Sequence, residues 1–98
     1  MLKENNFKKG EVVTIKLISG EELLGKFVEE SKEELTVKSP SVLGADAKGG
    51  MGLFPWIISA KNDTVSIKHS TIATTAETSK EIADNFTKAT SDIQIVSA

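Results

Sequence analysis

A two-residue period interrupted by an internal glycine constrains this chain more than any other feature. Over residues 11–37, EVVTIKLISGEELLGKFVEESKEELTV, Val13, Ile15 and Leu17 alternate with Thr14, Lys16 and Ile18. Such alternation predicts a strand with one buried face. Ser19-Gly20 followed by Glu21-Glu22 is turn chemistry, with Gly20 free to take positive φ. Leu23, Gly25 and Phe27 then share one face of a second strand, and Leu35 and Val37 one face of a third. A glycine inside a strand marks a sharp bend or a close backbone approach. The pattern predicts a mainly β fold, a small, strongly bent, five-stranded antiparallel sheet closing on itself as a barrel.

The remaining residues extend this plan. Strands are expected at 11–18, 22–30, 33–42, 53–60 and 64–68, with a charged turn between the second and third. Pro40 has no N–H for a ladder, so the end of the third strand should be an edge or a bulge. Residues 44–52, GADAKGGMG, carry four glycines in nine residues and read as a flexible loop. They do not form a phosphate cradle, which needs a helix start behind the glycines. In the fourth strand, LFPWIISA, Trp56 falls on the same alternate face as Phe54 and Ile58, as a core or subunit-interface residue. Val65 and Ile67 point inward from the fifth.

At the N-terminus, residues 1–10 read as a polar lead-in with a helical turn near 2–7, anchored by Phe7. Lys3, Lys8 and Lys9 fit a solvated arm. Thr78-Ser79-Lys80-Glu81 fits a capping box, and Ile82, Ala83, Phe86, Ala89 and Ile93 recur at helical spacing. A helix over 79–91 should cover one open end of the barrel or a neighbouring subunit. The alternation in residues 93–96 fits a short sixth strand, in this sheet or in another chain. The organisation expected is a barrel with a short arm over 1–74 and a helix with tail over 75–98.

Composition narrows the function classes. A chain of 98 residues is one domain with one modest core. It has no cysteine, so it has neither a disulfide nor a thiolate metal site, which is compatible with a reducing cytoplasm. No apolar run approaches the roughly 20 residues of a membrane span, and the N-terminus has no signal-peptide apolar core. Net charge is −2, and all twelve basic residues are lysine, which argues against general nucleic-acid binding. Glu29, Glu30, Glu33 and Glu34 fit a solvated turn better than a metal site. His69 is the only histidine, and its neighbour Ser70 does not make a catalytic pair by adjacency alone. No catalytic residue, metal ligand or cofactor is expected.

Strand, glycine, bent strand, charged turn, strand, loop and a hairpin ending in Lys-His form a specific order, which resembles the Sm-like family of RNA-binding ring proteins. Val13, Ile15, Leu17, Gly20, Gly25, Phe27, Leu35 and Val37 match its first motif. Ile67-Lys68-His69-Ser70, followed by Ile72, is similar to the Tyr-Lys-His-Ala signature of its Hfq-like branch. The resemblance covers residues 11–73. Two positions depart from it: Ser31-Lys32-Glu33-Glu34 stands where members carry Asp and the uridine-binding Asn, and Lys68-His69 stands where eukaryotic and archaeal members carry Arg-Gly. Small extended Sm-like proteins also occur in bacteriophages, and the residue usage suits one.

The resemblance implies an SH3-type barrel and a homo-oligomeric ring of about five to seven subunits. Its members join the fourth strand of one subunit to the fifth of the next, which implicates Trp56, Ile58, Val65 and Ile67 in the interface. It also implies single-stranded, U- or A-rich RNA at the pore, with Lys68 on phosphate, His69 on a base, and Ser70 and Lys32 beside them. Read without the family, His69 is a turn residue satisfying local backbone groups. The alternative function is an Sm-like barrel used as a protein-interaction or oligomerisation module without RNA.

Overall fold

The computed structural model describes residues 7–97, with side chains as far as residue 90. The strands are β1 (Val12–Leu17), β2 (Glu22–Glu30), β3 (Glu34–Ala45), β4 (Met51–Pro55), β5 (Thr64–Lys68) and β6 (Ile72–Glu77). One turn of 3-10 helix, His69–Thr71, joins β5 to β6, and helix α1 spans Lys80–Ser97. The strands form one six-stranded antiparallel sheet in the order β4-β3-β2-β1-β6, with β5 also paired to β3. The small, bent β architecture is as expected, but the ladder is open. β6 bounds one side, and β4 and β5 bound the other.

The alternation in β1 sets the main core. Val13 and Ile15 are fully buried and Leu17 nearly so, and they pack with Leu23, Phe27, Leu35, Val37 and Ile67. Phe7 closes this cluster, its ring centroid 5.8 Å from that of Phe27, which is the anchoring role expected of it. The rest of the helical turn expected at residues 2–7 lies outside the described residues.

Gly25 supplies the bend. A Cβ placed there would meet Val37 Cβ and Cγ2 at 2.8 Å, closer than such atoms approach one another. The β2–β3 register also slips between Leu24 and Lys26, as at a bulge.

The other face of the sheet is buried too. Val12 and Leu24 cover Phe86 of α1, which is 0% exposed, and Leu53, Ile82 and Ala83 surround them. The helix begins at Lys80, with Ser79 C=O accepting the Ala83 N–H at 2.9 Å. The hydroxyl of Thr78 instead meets that of Thr14 at 2.8 Å, so the expected capping box gives way to a tether between α1 and β1. Residues 93–96 continue the helix and do not form a sixth strand, because adding a residue to an existing helix needs no new nucleus.

Three further expectations are corrected. The glycine-rich segment is a closed hairpin and not a loose loop, since Gly44 pairs with Gly52 and Ala45 with Met51 at the ends of β3 and β4. Only residues 46–50 turn, held by Asp46 Oδ1, which accepts the Lys48 and Gly50 N–H groups at 2.9 Å each. The strand expected at 53–60 ends at Pro55, and residues 56–63 leave the sheet. β6, which the reading from sequence lacked as a strand, pairs with β1 from Val13 to Leu17, so a boundary after residue 74 falls inside it.

The break between β4 and β5 follows from β3. Ser39 has φ 57°, and Pro40 follows it with no N–H to donate. β3 therefore pairs with β5 over Glu34 to Lys38 and with β4 over Ser41 to Ala45, with a kink between. This is the interruption Pro40 foretold.

Gly25→Ala should destabilise the protein by about 1–3 kcal/mol, the usual cost of overpacking a filled core. Urea unfolding with an unchanged m-value would measure it, and wild-type stability would show that the sheet does not depend on this contact.

Candidate nucleic-acid interface

The end of β5 lies against the β2–β3 turn because β3 pairs with both β2 and β5. Register places Glu34 directly opposite Lys68. Their side chains meet across the strands, Nζ to Oε2 at 3.4 Å, in a solvent-exposed ion pair. Such pairs contribute about 0–1 kcal/mol.

The turn itself is built around Ser31. Its N–H donates to Glu34 C=O at 2.8 Å, and its Oγ accepts the N–H groups of Glu33 and Glu34 at 3.3 and 3.1 Å. His69 then clamps the turn at two levels. Its backbone N–H donates to Glu33 C=O at 2.9 Å. Its ring Nε2 lies 3.1 Å from Ser31 C=O and 3.1 Å from Glu30 Oε2. A carbonyl can only accept, so Nε2 carries the proton in this arrangement. The side chain remains 32% exposed, so part of the ring still faces solvent.

The structure thus brings Lys68 and His69 onto the turn that carries Lys32. Lys32 and Ser70 are exposed, Lys32 in the turn and Ser70 in the 3-10 helix. Glu30, Glu33 and Glu34 belong to the same surface, three carboxylates against the two ammonium groups of Lys32 and Lys68. The latch to Glu30 and Ser31 was not legible from spacing, since it joins residues 38 apart in the case of Ser31.

The residues assigned to a subunit interface separate. Ile67 is 4% exposed and belongs to the protomer core, as an inward position should. Val65 and Trp56 are half-buried against that core. Trp56 Nε1 also donates to Glu21 Oε2 at 3.3 Å. Ile58 is 87% exposed and stands with Ile57, Phe54 and Met51 among the large apolar side chains left in solvent. The two edges expected at 53–60 and 64–68 lie on the same side of β3 and do not form the two ends of the sheet. The opposite end is β6.

A family model for the Sm-like domain matches residues 14–87, from within β1 to within α1. The chain belongs to the Sm-like family. A search of curated proteins returned no match. Sm-like domains commonly bind RNA and form oligomeric rings, and the fold is generally non-enzymatic. Among the described residues, no helix of this Sm-like chain is long and apolar enough to cross a membrane.

Replacing His69 by Ala should speed amide exchange across residues 31–34 and lower global stability by about 1 kcal/mol or less, as expected for an exposed hydrogen-bond latch. His69→Gln, which keeps an N–H donor, should recover part of the protection. Unchanged exchange in His69→Ala would mean that the latch does not order the turn.

Proposed function

We propose that this protein is a subunit of a homo-oligomeric Sm-like ring that binds single-stranded, U- or A-rich RNA at its pore. The observation that carries the reading is the seating of Lys68-His69 on the β2–β3 turn. That arrangement puts a cation, an aromatic ring and a second lysine, Lys32, on one small surface. Lys68 would neutralise phosphate, the open part of the His69 ring would meet a base, and Ser70 and Lys32 would flank the strand.

Ring closure would use the outer edge of β5 on one subunit and that of β6 on the next. Among the described residues, β5 and β6 end one sheet on opposite sides, and such edges favour head-to-tail pairing. Repetition around the pore then lets weak contacts add, so one modest site per subunit suffices. The Hfq-like character of Ile67-Lys68-His69-Ser70 and a bacteriophage origin belong to the same reading, as does a role in RNA regulation inside the cytoplasm.

One observation favours a second reading. Lys68 already faces Glu34, and His69 already faces Glu30, so the ammonium group and the ring that RNA would need are engaged within the protomer. A ring with such a rim would serve as a protein-interaction or oligomerisation module.

Light scattering and fluorescence anisotropy decide between the readings. The RNA reading expects a multimeric mass, and U- or A-rich oligonucleotides that bind more weakly as salt rises. Lys68→Ala should weaken binding and reduce the salt slope, while Glu34→Gln should tighten it several-fold by removing a competing carboxylate. A multimer with no binding below about 100 μM at low salt, no better than non-specific contact, supports the second reading. A monomer at all concentrations would remove both.

A further inference from the structure

Residues 56–63 interrupt the side of the sheet on which β4 and β5 lie, and they are held in shape at both ends. At the start, Trp56 N–H donates to Pro40 C=O at 3.0 Å. At the end, Ser39 N–H donates to Asp63 C=O at 2.6 Å, and Ser39 Oγ lies 3.4 Å from Asp63 Oδ2. Both anchors are at the kink of β3, where Ser39 holds a left-handed backbone that non-glycine residues rarely adopt. Between the anchors, Ile57 is 41% and Ile58 87% exposed. The segment is therefore a fixed excursion with an apolar apex. Fixing a contact segment before association lowers the entropy lost when it binds.

We infer that this excursion is a finger that buries Ile57 and Ile58 against the next copy of the same chain and sets the strength of self-association. The inference rests on the ring reading and adds a partner contact beyond strand pairing. A second copy is the occupant that the neighbouring chemistry fits. The finger runs directly into β5, whose only partner among the described residues is β3. The outer edge of β5 takes a strand, and β6 at the far end of the sheet offers one. An antiparallel approach of β6 would set Glu77 of the partner subunit beside the Thr64 end of β5. Lys61 would then lie near that carboxylate and near Glu81, which follows it in the first turn of α1. The apolar apex and the lysine would thus face one acidic, helix-bearing corner of the neighbour.

The test is a mass-versus-concentration series by light scattering on the full chain. Ile58→Asp, at a solvent-exposed position, should leave circular dichroism unchanged and raise the concentration at which the oligomer dissociates by about tenfold or more. Lys61→Glu should weaken assembly as well, and adding Glu77→Lys should restore it. The charge pair also gives an answer if Ile58→Asp fails to fold. An oligomer whose dissociation is unmoved by Ile58→Asp, or by Lys61→Glu where the first variant does not fold, overturns the finger and leaves the ring standing. So does a loss of RNA affinity at constant mass. A wild-type monomer overturns both.

Discussion

The approach of the β2 backbone to Val37 is the contact on which the rest of the molecule depends. At Gly25 there is no Cβ, and the space one would occupy is filled by Val37 Cβ and Cγ2 at 2.8 Å. Any larger residue would push β3 away or rotate it. With the two strands so close, Val13, Ile15, Leu23, Phe27, Leu35 and Val37 reach a single cluster. The functional consequence lies at the far end of β3. Because β3 carries β2 on one edge and β5 on the other, the end of β5 returns to the β2–β3 turn, and Lys68 meets Glu34 by register. A change in the β2–β3 packing would therefore reach the Lys68-His69 surface through shared strands.

The protein gains its second core by giving up strict alternation. Val12 and Val13 are neighbours in sequence and both are buried, as are Leu23 and Leu24. In each pair one side chain faces the main cluster and the other faces Phe86. A small open sheet with one bare face would leave apolar area in water, and α1 removes it. Phe86 is the key side chain, since it is large and fully buried, so its burial contributes more than the weak intrinsic preference of the surrounding Thr, Asn and Asp residues for helix.

Legibility from sequence followed how strongly each segment depends on its own residues. The first three strands were readable because Val13, Ile15, Leu17, Leu23, Phe27, Leu35 and Val37 alternate on one face, and Gly25 announced its close contact. The fourth strand was misread because LFPWII has strand-like composition, while its hydrogen bonds are decided elsewhere. Trp56 gives its N–H to Pro40, outside any ladder, and the chain then leaves the sheet. The reverse error hid β6. Ile72-Ala73-Thr74-Thr75-Ala76-Glu77 has one large apolar residue and is a half-covered edge, so only its pairing to β1 defines it. The glycines at 44–52 suggested looseness, but Asp46 closes a tight hairpin there. Lys68 and His69 were found through their motif. Glu30 and Ser31, which hold the histidine, come from a distant turn and carried no local signal.

If the Lys68-His69 surface binds RNA as proposed, its chemistry is a competition between folding and binding. Ser31 C=O and Glu30 hold the His69 ring, and Glu34 faces the Lys68 ammonium. These contacts orient the two side chains before any ligand arrives, which reduces the ordering cost of binding. They also place negative charge where a phosphate would come, and like charges at this range repel. The balance differs between the two residues. Lys68 is 68% exposed, so its pair with Glu34 is readily exchanged for another anion, whereas Nε2 of His69 is held by two acceptors. On the proposed RNA reading, phosphate contact would therefore fall to Lys68, and His69 would offer its exposed ring surface. A single such site is weak, and only repetition around a common opening would make it useful. In a ring of that kind the strength of self-association would set the affinity for a strand-like ligand, and the edges of β5 and β6 would matter as much as the lysine does.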